Sequence, residues 1–535
     1  MRQYIPLAIS FIGIFGLTSC QDEAPVEKHT QNNILILGNY NEPAGLDHHV
    51  VTGVIESQII SSIMEGLCAQ HPSKDGYPLP GAAERWEPNE DFSEWTFYLQ
   101  KDGKWSDGKP VTTEDFLFAY ERILHPEFSA KYASMLYYIE NAEAFNKGEI
   151  KDFSKVGVKA IDSHTLHIKL RASMPFLTEL TKHYTWYPIA KHAVLKRGAM
   201  TEKYTDWTDP EHYVGNGPFK LTQWRFNHKI EVAKNPHYWD VKTVKLDGIQ
   251  FLPITDKYTE ARMFYNDQMH ITERLASEMI EYARKKSPER LREELYLGTD
   301  FIRFNVTDEK FKDPKVRHAI SLATNRKLLI DKIIKGGEKP ATGITPTIGD
   351  YKALNIAKHD PEEARKFMEE AGYSDSKKLK FTLTTVDKDA HKTKAEALQD
   401  MWEKALPVEV SITQREWKSY QDIMSKLEYE TITGGWIGDF PDPTTFLDMW
   451  RAGDGNNRTG WANPEYDALL NKAEKAGSPK ERIKLLNKAE TLFLKDMPAF
   501  PVYWATHVYL IRPEVKNWHP LILKNQPYKF VWLEK

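Results

Sequence analysis

Cysteine is scarce in this 535-residue chain, which contains only Cys20 and Cys68. A surplus of charge of one sign is missing too, because 72 lysines and arginines face 76 aspartates and glutamates, for a formal net charge of -4. A nucleic-acid-binding protein would normally carry a basic surplus or stripe, so this balance argues against one. The length exceeds that of one compact core, and we expect two or three domains.

The motifs of common enzyme classes are also missing. The sequence has no HExxH, no CxxC, no Gly-x-Ser-x-Gly elbow and no dinucleotide-binding glycine fingerprint. Gly103, Gly108 and Lys109 match the spacing of a phosphate-binding loop, but Pro110 stands where a Ser or Thr must hold magnesium. We therefore expect no cofactor, no metal and no catalytic residue.

Two pairs of side chains could still carry chemistry. His48 and His49 are adjacent, so on a strand they would point to opposite faces and would not share a metal ion. Asp439 and Asp442 could form an acid/base pair like that of a glycosidase. They lie in a proline-rich loop with no helix to place them on one face, and Asp442 followed by Pro443 fits a turn. A secreted hydrolase using this pair is one alternative.

Aromatic residues are abundant, at 12% of the chain. Such side chains fill cores or line clefts that hold flexible ligands. The stretch GGWIGDFPDPTTF, residues 434–446, places Asp439 between Trp436 and Phe440. A carboxylate between large aromatic side chains is either paired with a cation of the protein or available to bind the positive charge of a ligand.

The first twenty residues have a pattern of their own. Arg2 precedes the apolar run YIPLAISFIGIFGL, which is too short to span a membrane comfortably, and LTSC ends at Cys20. LTSC resembles the lipobox of bacterial lipoproteins, whose cysteine is acylated and becomes the mature N-terminus. We predict a lipoprotein signal peptide over 1–19, lipidation of Cys20 and a polar tether over 20–32. A plain signal peptide with a chance cysteine is the alternative.

Long hydrophobic runs are missing after this leader. We therefore expect the chain to be anchored to a membrane by its lipid and not to cross it. A lipidated Cys20 would leave Cys68 without a partner, which predicts no intramolecular disulfide.

Strand-like and helix-like segments alternate along the chain. Capped helices interleaved with strands predict an α/β protein with parallel or mixed sheet. The segment from Asp313 to Ile334 reads as a helix, with Asp313 as cap and Pro314 in the first turn. Capping boxes are predicted at Asp360 with Glu363 and at Ser478 with Glu481. Short strands are predicted at 33–40, 164–170, 229–235, 378–386 and 408–413.

Four long stretches together resemble a known family. Residues 66–124, which include EWTFYLQKDGKWSDGKPVTTEDF, are similar to the signature region of the peptide-binding proteins of bacterial ABC importers. Residues 215–239, residues 311–333, and residues 434–446 with REWKSYQD upstream are similar to three further blocks of that family, in the same order. Several long motifs in order across nearly the whole chain are a far more specific signal than one short pattern.

The resemblance implies a two-lobed periplasmic binding protein fold of type II (cluster C), with an extra domain inserted in the first lobe. Two strands would connect the lobes, and the ligand would be enclosed as they close. The expected division is lobe I at 33–64, 192–294 and 507–535, inserted domain II at 65–191, and lobe III at 295–506.

The resemblance also implies a set of binding residues. Asp439 would pair with the amino group of a bound peptide, and the backbone of Gly435 and Ile437 would hydrogen-bond it as an added strand. Side chains or backbone groups lining the rest of the cleft would be Trp436, Trp417, Tyr132, His391 and Val54.

The chain departs from the family pattern at the other end of the site. Thr433 and Met424 stand where the family has arginines that reach the peptide carboxylate, and Thr52 replaces a glutamate. The implied function is a lipid-anchored, monomeric periplasmic protein that captures oligopeptides and delivers them to the membrane permease of an ABC importer. A murein peptide or another non-standard solute in the same fold, and a chaperone-like periplasmic binder, are further alternatives.

Overall fold

The structure, a computed structural model, describes residues 25–387 and 389–535. Its strands, numbered along the chain, are β1 Ile34–Gly38, β2 Cys68–Ala69, β3 Leu79–Pro80, β4 Ala83–Pro88, β5 Glu94–Leu99, β6 Val158–Asp162, β7 Thr165–Lys169, β8 Phe219–Arg225, β9 Lys229–Lys234, β10 Gly248–Leu252, β11 Leu291–Phe304, β12 Lys339–Pro340, β13 Leu379–Val386, β14 Val408–Arg415, β15 Thr431–Ile437, β16 Ala499–Leu510, β17 Val515–Lys516 and β18 Trp532–Leu533.

The helices are interleaved with these strands, as the sequence predicts for an α/β protein. They are α1 Pro25–Gln31, α2 Val54–Ile63, α3 Thr113–Leu124, α4 Ala142–Asn146, α5 Leu177–Leu180, α6 Lys191–Leu195, α7 Lys257–Tyr265, α8 Ser277–Lys286, α9 Pro314–Ala323, α10 Arg326–Leu329, α11 Pro361–Glu370, α12 Asp389–Ala405, α13 Trp417–Ser425, α14 Thr444–Leu447, α15 Pro464–Glu474 and α16 Pro479–Asp496. Within the described ranges, no helix is both long and apolar enough to cross a membrane.

Three larger sheets organise the chain. The first has the strand order β1-β10-β9-β8, with β1 parallel to β10. The second has the order β12-β16-β11-β15-β13-β14 and mixes parallel with antiparallel pairs. The third, β4-β5-β7-β6, is antiparallel and lies within residues 83–169.

The hydrophobic core is divided in the same way. One large cluster of buried residues unites the first and third sheets, from Leu35 to Leu246 and on to Leu533. Separate clusters fill the second sheet and its helices, around Trp402 and around Trp450. The third sheet therefore shares its core with the first, whereas the second sheet has cores of its own.

The first and third sheets with their shared core are called the first body below, and the second sheet with its helices is called the second body. Two long antiparallel strands, β11 and β16, connect these two bodies. Leu291–Leu295 of β11 pairs with 506–510 of β16, and 299–303 pairs with 499–504. Between these stretches Tyr296, Leu297 and Gly298 oppose Ala505 alone. This irregularity lies where the chain passes from one body to the other, which is where a bulge can re-aim strands.

The predicted strands are confirmed at 34–38, 165–169, 229–234, 379–386 and 408–415. The single helix predicted from Asp313 to Ile334 is wrong in part, because α9 ends at Ala323 and α10 begins at Arg326. Asn325 interrupts it by accepting a hydrogen bond from the backbone of Leu328, as a new N-cap does.

The two predicted capping boxes form only on one side. Asp360 accepts a hydrogen bond from the backbone N–H of Glu363, and Ser478 accepts one from that of Glu481. The N–H of Asp360 donates to the carbonyl of Leu322, so Glu363 does not close the box. A complete box is found instead at Thr112 and Asp115, at the start of α3.

Candidate functional site

Strand β15 positions the candidate site at the junction of the two bodies. Its last residue, Ile437, pairs with Gly298 of β11, and the N–H of Gly438 donates to the carbonyl of Leu297 over 2.7 Å. The N–H of Asp439 then donates to Oγ1 of Thr445 over 3.0 Å. These backbone contacts determine where the carboxylate of Asp439 emerges.

One edge of β15 is unpaired beside this point. On one side β11 pairs with β15 from 431 to 437. On the other side β13 pairs with it only at Thr431 and Ile432. The carbonyl oxygen of Thr433 accepts a hydrogen bond from the Tyr420 hydroxyl. Residues 434–437 therefore present a strand edge to which, in the described part of the chain, no other strand is added. Such an edge can accept an extended peptide.

A cavity of about 370 Å³, called the first cavity below, opens along this edge. It is lined from three sides, and its walls include Thr52, Gly53 and Val54 before and at the start of α2, Tyr132, His183 and Tyr184 from the segment around the third sheet, and 435–439 from β15 and its loop. Tyr296, from the irregular part of β11, also lines it. The first cavity thus lies between the two bodies.

Asp439 differs electrostatically from the other acids that line the first cavity. Glu65 faces Lys529 at 3.3 Å, and Glu179 faces Lys182 at 2.6 Å. Asp439 has no cation within ion-pair distance among the residues that the structure describes. Burial raises the pKa of its carboxyl group to about 6. Its side chain is therefore a partly desolvated acid that lacks a counter-ion within the described protein.

Aromatic side chains line the first cavity together with this acid. The ring centres of Tyr132 and Tyr184 lie 6.5 Å apart, and those of His183 and Tyr184 lie 4.2 Å apart. The hydroxyl of Tyr132 lies 3.5 Å from the carbonyl oxygen of Thr52. Burial and then the charge of Asp439 raise the pKa of Tyr132, so this hydroxyl stays protonated at neutral pH.

Asp442 has a structural role and not a catalytic one. Its two oxygens accept hydrogen bonds from the Arg482 guanidinium over 2.7 Å each, and one of them also accepts from the backbone N–H of Thr444. Burial alone would raise the pKa of this carboxyl group, but the charge and hydrogen bonds of Arg482, together with the hydrogen bonds from Thr444, hold the pKa below its usual range. The turn interpretation of Asp442 is correct but incomplete, because the sequence did not reveal its ion pair.

A second cavity of about 380 Å³ adjoins the first along β15. Gly435 and Trp436 line both cavities. Thr433 and Met424, which the sequence resemblance predicts to stand in place of arginines, line the second cavity together with His391. Three cations, Arg303, Lys394 and Arg458, line it as well.

The structure brings most of the predicted site residues together. Those that line the first cavity are Val54, Tyr132, Gly435, Trp436, Ile437 and Asp439. His391 lies in the second cavity. Trp417 begins α13, but its side chain lies outside the described residues, as does Cys20.

Several lining residues were missed by reasoning from the sequence. Tyr184 and Tyr296 come from segments with no recognised motif, so only the fold brings them to Asp439. Arg303 did leave a signal, since it interrupts the apolar run FIRF in a strand whose neighbours are fully buried. A charged residue at such a position needs a partner or a function.

The two adjacent histidines also differ from expectation. His48 and His49 do not point to opposite faces, because they lie in a turn and their rings are 4.5 Å apart. Burial lowers the pKa of His48 to about 4, so its ring is neutral at physiological pH. Within the described ranges, no group of three or more His, Cys, Asp or Glu side chains could hold a metal ion.

Comparison with known proteins gives consistent matches. Residues 78–458 match the family described as bacterial extracellular solute-binding proteins, family 5 Middle. The periplasmic oligopeptide-binding protein OppA of Salmonella typhimurium is 33% identical over 493 residues, covering 90% of this chain and 89% of that protein.

Solved structures agree over nearly the whole chain. The murein tripeptide-binding protein MppA in its unliganded open form has a TM-score of 0.81 at 30% identity and covers 94% of this chain and 98% of its own. Haemophilus influenzae OppA in complex with RPPGFSPFR has a TM-score of 0.76 at 31% identity and covers 94% and 99%. The predicted two-lobed α/β fold is thereby confirmed.

The family consists of binding proteins and not of enzymes, which confirms the expectation of a protein without catalysis and removes the hydrolase alternative. The family match spans residues 78–458, which is most of the chain, and the alignment with a 33% identical relative covers 89% of that relative. This chain therefore belongs to the bacterial extracellular solute-binding proteins of family 5.

Proposed function

We propose that this protein captures oligopeptides between its two lobes and delivers them to an ABC importer. The observation that carries the proposal is the unpaired edge of β15 at 434–437, which ends beside the uncompensated carboxylate of Asp439. Every linear peptide has a backbone that can extend a sheet and an ammonium group that can pair with an acid.

A bound peptide would begin at Asp439. Its ammonium group would pair with the carboxylate, and its backbone would hydrogen-bond to Gly435 and Ile437 as an added strand. Trp436 and Tyr132 would flank its first side chains, and Val54 would meet it from the first lobe. His391 and Trp417 would lie further along the same ligand.

Recognition of this kind is broad in sequence. Backbone hydrogen bonds and the ammonium pair are common to all linear peptides, whereas side chains can occupy roomy, hydrated pockets that discriminate little. Binding also offsets the cost of desolvating Asp439, since the ammonium supplies the charge that the described protein does not.

The remaining features of the proposal concern the whole protein. The domains would be lobe I at 33–64, 192–294 and 507–535, inserted domain II at 65–191 and lobe III at 295–506. The lobes would close on the ligand about β11 and β16. Acylation at Cys20 would tether a monomer in the periplasm beside its permease, and relatives named as oligopeptide-binding proteins support a peptide cargo.

Native mass spectrometry tests the proposal. The purified mature protein is measured directly, and again after mild release of any ligand and incubation with a mixture of synthetic tri- to hexapeptides. We expect complexes whose released masses fragment as peptides, and a much smaller bound fraction for Asp439→Asn. A protein that binds no member of the mixture, or releases only non-peptide solutes, would contradict peptide capture.

A murein peptide as cargo is a second candidate. The similarity to MppA, with a TM-score of 0.81 over 94% of this chain, favours it. So does the presence of Thr433 and Met424 in place of the arginines that the family uses to bind an ordinary peptide carboxylate. The same experiment separates the two, because released murein peptides have masses and fragments distinct from those of ordinary peptides.

A further inference from the structure

The second cavity has a surplus of positive charge. Arg303, Lys394 and Arg458 line it, and Asp300 is the acid among its described lining residues. Asp300 is already engaged, because one of its oxygens lies 2.7 Å from Nζ of Lys394. The two arginines are left without an acidic partner in the described part of the protein.

Arg303 is buried to an extent that is unusual for an unpaired guanidinium. Arg303 is only 4% exposed, and its Nε has no hydrogen-bond partner in the described structure. Its other contacts are weak ones: Nη1 lies 3.5 Å from the sulfur of Met424, and the guanidinium lies 4.6 Å and 5.5 Å from the ring centres of Phe301 and Trp450. Burial lowers the pKa of Arg303 to about 10, so it remains charged at neutral pH.

The lack of a side chain at Gly434 leaves room for this guanidinium in the cavity wall. Arg303 lies against Gly434, where any side chain would collide with it. Arg458 is held nearby, since its Nη1 donates to Oε1 of Gln421 over 2.6 Å and its carbonyl oxygen accepts from the hydroxyl of Tyr429. A buried cation without a counter-ion is costly, and an anion entering the cavity would remove that cost.

We propose that the second cavity binds a carboxylate of the ligand through Arg303 and Arg458. This inference rests on the proposed function, and it assigns the role of the absent arginines at 433 and 424 to residues on β11 and after α14. The carboxylate is either the C-terminus of the peptide or an acidic side chain near it.

The spacing of the two charged ends sets the size of the ligand. Gly434, which contacts Arg303, and Asp439 are five residues apart, a distance of at most about 17 Å along an extended strand. A peptide whose ammonium reaches Asp439 and whose carboxylate reaches Arg303 therefore has about three to five residues.

Calorimetry on the whole mature protein tests the inference. The probe is the tightest binder from the synthetic tri- to hexapeptide mixture, prepared as the free acid, as the C-terminal amide, and as the amide with a glutamate at its last position. We expect the acid to bind about 10- to 100-fold more tightly than the plain amide. Recovery of affinity by the glutamate would identify a side-chain carboxylate as an accepted group, and no recovery would identify the terminal one.

Variants locate the effect in the cavity. Arg303→Gln and the less buried Arg458→Gln should each reduce the acid-to-amide ratio to within a few-fold, whereas Arg225→Gln, an exposed arginine on β8, should leave it unchanged. Thermal unfolding checks that each variant is folded, and Arg458→Gln keeps the test decisive if Arg303→Gln does not fold.

The outcomes separate this inference from the proposed function. Equal binding of acid and amide, or a ratio that survives both arginine variants, would overturn the carboxylate site while peptide capture stands. Failure of every peptide to bind would overturn the proposed function and the inference together.

Discussion

At the residue scale, the raised pKa of Asp439 makes peptide binding depend on pH. Burial raises this pKa to about 6, and only the ionised carboxylate pairs with an ammonium group. Peptide affinity should be constant above about pH 7 and fall about tenfold between pH 7 and pH 5, as the acid becomes protonated.

Titration calorimetry between pH 5 and pH 8 measures this dependence. Asp439→Asn provides the control, because its weaker binding should lack the transition near pH 6. An affinity for wild-type protein that does not change over this range would show that Asp439 does not bind the ammonium in its ionised form.

The ion pair between Asp442 and Arg482 gives a prediction for stability. Both groups are buried, and each is the other's partner through two hydrogen bonds of 2.7 Å. Arg482→Met leaves the carboxylate of Asp442 uncompensated and should lower the free energy of unfolding by about 3–5 kcal/mol.

Urea unfolding at pH 7 tests this loss. The double variant Asp442→Asn with Arg482→Met should be more stable than Arg482→Met alone, since no unpaired charge remains. Equal stability of the single and double variants would mean that the pair contributes little beyond packing.

At the element scale, the turn after β15 depends on a glycine. A side chain at Gly438 would lie 2.7 Å from Cδ2 of Leu297 and 2.9 Å from Cγ2 of Thr445, closer than real contacts allow. Gly438→Ala should therefore destabilise the protein by about 1–3 kcal/mol and also weaken peptide binding by displacing Asp439.

Thermal unfolding and calorimetry measure the two effects. Gly455→Ala is the matched control, because a side chain there meets no atom within 4 Å. Gly438→Ala with unchanged stability and unchanged affinity would show that the turn relaxes without moving the acid.

The elements also show how far the sequence alone could predict the structure. Short strands with turn residues at both ends were located to within a few residues, because the hydrophobic pattern and the flanking turn-forming residues indicate the same boundaries. The break at Asn325 was missed, since an asparagine within a helical pattern is compatible with either continuation or a new cap.

The candidate site was predictable only in part. Asp439 and Trp436 belong to one motif, so a single stretch of sequence indicated them. Arg303 and Arg458 are separated by more than 150 residues, and only the pairing of β11 with β15 and the packing after α14 bring them to one cavity. Contacts of this kind depend on strand order, which local patterns do not encode.

At the scale of the whole molecule, the position of the first cavity between two bodies predicts closure on a ligand. The bodies are connected by β11 and β16, whose pairing is interrupted at Tyr296, Leu297 and Gly298. Small-angle X-ray scattering should show a smaller radius of gyration with saturating peptide than without. An identical scattering curve in both conditions would contradict closure.

The central claim is that an ammonium group of the ligand pairs with Asp439, and one calorimetric cycle tests it most directly. Wild-type protein and Asp439→Asn are each titrated with one peptide in free and N-acetylated form. We expect either change alone to weaken binding by at least about two decades, and the second change to add little once the first is made. If acetylation leaves the wild-type affinity unchanged, Asp439 is not the anchor of the ligand.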